Sequence, residues 1–234
     1  MYWMTIMTKI QTDALPAISL ETLGNQIVDA LSQEIISGRL TPGQRVDLSY
    51  YATQWNISIT PVRDAARKLE ALGLMEIFPR RGVFVATLND RDVKELFDVR
   101  IALESATIRL ATPNIPREEA EKTRQLYLQA GEKLHQHSVD QSLPAVDLLI
   151  HKLALQYCDN VRLTKMMQEM WSQIEWCQNT IASQLQEPFL TTLPEHVAIC
   201  DAVIAGDADA ASLAMYRHLT FTSERIQKLL INMG

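Results

Sequence analysis

The chain has 234 residues, of which 47% are hydrophobic and 21% charged, with a net charge of -6. These are values of one large or two small globular domains, and they exclude a long multidomain assembly. No run approaches the roughly 18 consecutive apolar residues that a membrane span needs, so a soluble protein is expected. Met1 to Ile10 holds one basic residue, Lys9, and lacks the apolar run and cleavage site of a secretory signal, which makes cytoplasm the expected location. Cys158, Cys177 and Cys200 are an odd set without CxxC spacing, which argues against a disulfide framework and a thiolate zinc site. The acidity is unevenly spread: residues 1–87 carry eight Lys+Arg against eight Asp+Glu, and residues 88–234 fourteen against twenty. Within residues 59–86 five basic residues face three acids, so any polyanion should be met there.

In chain order, residues 19–37 place Leu20, Leu23, Ile27, Ala30, Leu31 and Ile35 at helical period, with Ser19 and either Thr22 or Glu21 available for capping. Gly38, Pro42 and Gly43 end that helix, and Leu48 to Trp55 predicts a short second one. Thr60 as N-cap and Pro61 at the first helical position predict a third helix running to about Leu72 and stopping at Gly73. Val62, Ala65, Ala66, Leu69 and Leu72 form its apolar stripe, while Arg63 and Arg67 lie on the other side. Leu74 to Phe78 and Val83 to Thr87 read as strands joined by Pro79-Arg80-Arg81-Gly82. Helix, short helix, helix and a basic-tipped hairpin is the order of a winged helix-turn-helix.

From Asp90 to Met233 the helical pattern is nearly continuous, with breaks expected at Thr112-Pro113, Ser138 to Pro144, Asp159, Pro188, Pro194 and Gly206-Asp207. About six helices result, and without β-rich stretches an all-α bundle is the economical architecture. The expected fold is therefore mainly α: a winged helix-turn-helix over residues 1–88, then an all-helical effector-binding and dimerisation domain over 89–234. Trp171, Trp176 and Met170 stand at a spacing that suits either core or a cavity wall.

A helix-turn-helix sets the first residues of its recognition helix against base edges in the major groove. Thr60, Arg63 and Arg67 suit that task, and Arg80 and Arg81, with Gly82 permitting the tight turn, would approach the backbone or minor groove. On periodicity alone, the same arginines would equally serve a solvated amphipathic helix. The stretches Gly38-Arg39-Leu40-Thr41-Pro42-Gly43, Ser58-Ile59-Thr60-Pro61-Val62-Arg63-Asp64-Ala65, Leu69-Glu70-Ala71-Leu72-Gly73-Leu74 and Arg80-Arg81-Gly82-Val83-Phe84-Val85 together resemble the DNA-binding domain of GntR-family transcriptional regulators over residues 20–87. The resemblance adds Ser58 to the DNA-contacting set and implies a homodimer on double-stranded DNA with a palindromic operator. Ile59 and Ser49 depart from the family pattern, which has arginine at the first position and in some members at the second.

Asp147 and His151 lie four apart on one expected helix, and His196 and His218 on two later ones. One carboxylate and three imidazoles would suit zinc, nickel, manganese or iron, although an Asp/His pair at this spacing is also an ordinary structural pair. Asp98-Val99-Arg100 with Glu104, Asp147-Leu148-Leu149-Ile150-His151, Asp159-Asn160, His196 with Ile199, Ala205-Gly206-Asp207 and His218 resemble the FCD effector domain of the FadR-type GntR branch over residues 90–230. That resemblance implies Asp147, His151, His196 and His218 as ligands of a divalent transition metal, and a small organic acid as effector, bound partly by Arg100. Arg100 and Glu104 also have the spacing of a simple helix pair. His135 and His137 match no ligand position and are expected to face solvent. The alternatives are a metal-dependent enzyme acting on a small carboxylate and a direct metal-ion sensor. HExxH, GxSxG, GxxxxGK and GxGxxG motifs do not occur in a suitable context, so no catalytic residue is assigned.

Overall fold

The computed structural model describes residues 23–136, 146–184 and 188–233, without the side chains of residues 134–136, 181–184, 188–190 and 229–233. Helix α1 (Leu23–Ile36) buries Ile27, Leu31 and Ile35, one per turn, and stops where Gly38 takes φ +76°, the left-handed conformation that closes a helix end. The capping expected of Ser19 with Thr22 or Glu21 lies outside the described residues. A two-residue strand, β1 (Arg45–Val46), follows; it is too short for any periodic signal. Asp47 then caps α2 (Leu48–Gln54), its carboxylate accepting from the Ser49 and Tyr50 backbone N–H groups at 2.9 and 3.2 Å.

Helix α3 (Ile59–Ala71) corrects one detail of the sequence reading. Its N-cap is Ser58, in extended conformation and without a side-chain capping bond, and Thr60 and Pro61 lie inside the first turn. N–H groups of a first turn have no partner within the helix, so a proline fits at its third position as readily as at its first. Val62, Ala65, Ala66 and Leu69 are buried, and α3 packs chiefly on α1. Strands β2 (Met75–Phe78) and β3 (Gly82–Val85) form the antiparallel hairpin with Phe78 opposite Gly82, and β1 completes a sheet of order β1-β3-β2. The turn needs positive φ at Arg80 (+64°) and Gly82 (+118°); a side chain at the latter would press on the Arg45 guanidinium.

Asn89 opens the second part with a reciprocal capping box: its side chain accepts from the Asp92 N–H at 3.0 Å, and the Asp92 carboxylate accepts from the Asn89 N–H at 3.4 Å. Six helices lie in full among the described residues: α4 (Asp90–Ala111), α5 (Arg117–Gln136), α6 (Leu149–Tyr157), α7 (Val161–Gln184), α8 (Pro188–Ile204) and α9 (Ala208–Met233). Pro194 does not break the chain as expected but lies inside α8, which is held by α5 and α9 on its flanks. The break expected at Ser138 to Pro144 lies outside the described residues, as do His137 and the side chain of His135. Helix α9 runs along α4 and α8, while α6 and α7 pack on α4. Phe97, Ile108, Tyr127, Ile150, Met215 and Leu219 lie at the centre of the bundle.

Helix α7 also reaches the first domain. Trp176 belongs to the apolar core formed by α1, α3 and the wing and does not wall a bundle cavity. Met170 and Trp171 instead lie partly buried against Leu148, Met167 and Ile174. Burial pushes the thiols of Cys177 and Cys200 up to about 12, so both are inert core groups. Among the described residues no helix is long and apolar enough to cross a membrane.

Candidate functional site

Residues from each of the helices α4 to α9 converge on one buried polar centre. His151 comes from α6, His196 from α8 and His218 from α9, and a ligand nitrogen from each lies within 4.8 Å of the other two. Asp147 sits just before α6, separated from it by the Leu148 cap, so the expectation of one unbroken helix carrying Asp147 and His151 is corrected. Its Oδ1 is nevertheless 3.6 Å from His196 Nε2. The Tyr127 hydroxyl on α5 fixes that bend, donating to the Asp147 carbonyl at 3.1 Å and accepting from the Ile150 N–H at 3.0 Å. The same ring stacks on His196 at 4.7 Å between centroids.

Two imidazoles are aimed by carboxylates. His151 Nδ1 bonds Glu104 of α4, and His218 Nδ1 bonds Glu195 of α8 at 2.9 Å. An imidazole that donates through Nδ1 presents a bare Nε2, which is how metal-ligating histidines are commonly oriented. Glu195 is itself gripped in two hydrogen bonds by Arg225 at 2.8 and 3.0 Å. Asp147 is held by Thr192, whose hydroxyl donates to Oδ1 at 3.1 Å, and by the Gln178 amide, which donates to Oδ2.

The electrostatics disfavour a positive charge on His196 and His218. Burial lowers the His196 pKa well below the usual imidazole range, and the neighbouring His218 and His151 lower it further. Burial lowers that of His218 as well, against the pull of Glu195. Glu104 would be raised by its burial, but Arg100 and His151 hold it at about 2. His151 Nε2 and His196 Nε2 are buried with no hydrogen-bond partner among the described residues. Orphaned buried nitrogens cost stability unless something occupies them, so this donor set fits a divalent metal.

Arg100 is 1% exposed, donates from Nε to Glu104 at 2.7 Å and lies over the Phe97 ring at 4.7 Å. The helix-pair geometry is therefore present, though buried rather than on the surface. The roles of Glu195, Gln178, Thr192 and Tyr127 were missed in the sequence because each depends on which helices become neighbours. Only Glu104 carried a signal, its four-residue spacing from Arg100.

On the first domain, Ser58, Thr60, Arg63, Arg67, Arg80 and Arg81 are all exposed, and Gly82 is half-buried at the wing tip. Arg67 reaches Asp64 at 3.4 Å with both side chains largely exposed, a weak pair that polyanion phosphates could replace. Arg81 lies over Phe78 at 5.3 Å. Arg45, exposed on β1 beside Gly82, adds a cation to the wing that the sequence reading did not assign.

Residues 23–85 match the gntR family of bacterial regulatory proteins, and residues 95–221 match the FCD domain. The chain is similar to the uncharacterized HTH-type transcriptional regulator YdhC of Bacillus subtilis, 25% identical over 207 residues that make up 88% of this chain and 91% of the relative. It is also similar to the probable D-xylose utilization operon transcriptional repressor of Paenarthrobacter nicotinovorans, 29% identical over 198 residues, 85% of this chain and 86% of that one. The solved structure of E. coli McbR/YncC shares the fold with a TM-score of 0.70 at 20% identity, covering 92% of this chain and 99% of the other. This chain belongs to the GntR family of bacterial transcriptional regulators, with a winged helix-turn-helix DNA-binding domain and an FCD domain.

Proposed function

We propose that this DNA-binding regulator adjusts its operator affinity to a small organic acid bound beside a divalent transition metal in the helical bundle. The observation that carries the reading is the buried triad of His151, His196 and His218, with two of its rings aimed by Glu104 and Glu195. These imidazoles and Asp147 would hold zinc, nickel, manganese or iron. When bound, such an ion supplies a Lewis-acidic point that attracts a ligand oxygen. Arg100 is the candidate carboxylate clamp: a guanidinium has five N–H donors, and its bond to Glu104 uses one.

On the DNA side, Ser58, Thr60, Arg63 and Arg67 would read or position the major groove, and Arg80, Arg81 and the Gly82 turn would engage the backbone or minor groove. Two copies on a palindromic operator are the expected assembly. The adjacent helices α4 and α9 support it by exposing Val99, Leu110, Leu213 and Tyr216. Regulation requires only that the acid bind the DNA-competent and DNA-incompetent arrangements with different affinity.

The test is a fluorescence-anisotropy titration of operator DNA with metal-loaded protein in the presence of a panel of small carboxylates. The expected result is that one acid changes DNA affinity at least several-fold and is recovered chemically unchanged. Turnover of the acid would favour the enzyme reading, and a shift produced by metal alone would favour a direct metal sensor.

A further inference from the structure

Helix α7 presents two faces to two domains within a single stretch. Gln173, Trp176 and Asn179 recur every three residues and therefore share a side. All three meet the reading head. A Cβ on Gly73, just after α3, would come within 2.3 Å of Gln173 Nε2; Trp176 is buried in the winged-helix core; and Asn179 Nδ2 donates to the Ile36 carbonyl at 3.0 Å. The Ile36 carbonyl belongs to the last turn of α1, where helix carbonyls lack partners within the helix, so Asn179 caps α1 from the other domain. The remaining side of α7 faces the bundle. Ile174 and Cys177 are fully buried there, and Gln178 donates to the Asp147 carboxylate.

Gln178 and Asn179 are adjacent residues of one rigid helix. One holds a proposed metal ligand, and the other caps the helix against which α3 packs. A displacement of Asp147 therefore has a short path to the DNA-reading helix: Asp147, Gln178, the α7 backbone, Asn179, α1 and α3. We infer that Gln178 is a positioning residue for Asp147, and that the turn Trp176 to Asn179 is the mechanical link through which occupancy of the bundle site is felt by α1. The inference rests on the metal reading and adds to it the route of coupling.

The experiment uses full-length protein stripped of metal by chelation, with zinc ions as the probe. Isothermal titration measures zinc affinity, and hydrogen–deuterium exchange maps the response along the chain. In the wild type, zinc should slow exchange around His151, His196 and His218 and also at the C-terminal end of α1. Gln178→Ala should lower zinc affinity about tenfold or more, the usual result of removing an outer-shell partner. Asn179→Ala should leave zinc affinity within twofold of wild type but abolish the response at α1, and Asn179→Asp, of similar shape without the donor, should do the same. Absence of binding in the wild type by zinc, and by nickel, manganese and ferrous iron titrated in its place, would overturn the metal reading and this route with it. Zinc binding with no response at α1, or with an undiminished response in both Asn179 variants, would overturn the route alone. Zinc affinity unchanged in Gln178→Ala would remove its positioning role.

Discussion

The two domains solve the problem of a core in opposite ways. The winged helix is held by a dry apolar interior in which Leu31, Val62, Ala66, Leu69 and Leu74 are fully buried. The bundle encloses Arg100, Glu104, His151, His196 and His218 at its centre, each 3% exposed or less. Buried charge adds little net stability even when well paired, whereas apolar packing of the same volume would cost nothing in desolvation. The proposed binding role accounts for a bundle that retains such a centre, whereas the reading head, with no such centre among its described residues, would keep its shape while its exposed side chains do the recognition.

That contrast can be broken most forcefully at Glu104. Glu104→Gln leaves the Arg100 guanidinium buried without its counter-charge, and breaking such a pair costs about 3–5 kcal/mol; chemical denaturation should show a loss of that order. In the dry core, Leu69→Ala opens a cavity under α3 and should cost about 2–5 kcal/mol. Differential scanning calorimetry should place that loss in the reading head, with zinc binding by the bundle retained.

Smaller effects separate recognition from folding. Arg63 is exposed and makes no ion pair among the described residues, so Arg63→Ala should leave the melting temperature nearly unchanged while weakening operator binding by about 1–3 kcal/mol in a gel-shift titration, if it meets a base edge. Arg80→Ala at the wing should lower affinity for all DNA sequences alike and reduce the salt dependence of binding by about one ion, the signature of a phosphate contact.

The same contrast explains what the sequence revealed. The reading head was legible because its elements are local: the four-residue spacing of Ile27, Leu31 and Ile35, the arginines on the far side of α3, and the glycine at the hairpin turn. Its errors were also local in cause. Ser58 rather than Thr60 caps α3 because proline is tolerated at several first-turn positions, and β1 is shorter than any period. In the bundle, the helix ends at Ala111, Tyr157 and Ile204 could be read from the breaks, but Pro194 misled because α8, packed between α5 and α9, runs on through it. The buried histidine cluster was only half legible. His151, His196 and His218 were identified as ligand candidates through family resemblance, whereas Glu195, Gln178 and Tyr127 acquire meaning only after α5, α7, α8 and α9 have packed. Trp176 gave no sign in the sequence that it would serve the other domain's core.

The most direct test of the central claim is the stoichiometry of metal bound to chelator-stripped protein, titrated in turn with zinc, nickel, manganese and ferrous iron. The account predicts one tightly bound ion per chain for at least one of these metals, lost in His151→Ala, His196→Ala and His218→Ala alike. Failure of all four metals to bind, or binding that survives each of the three substitutions, would contradict it.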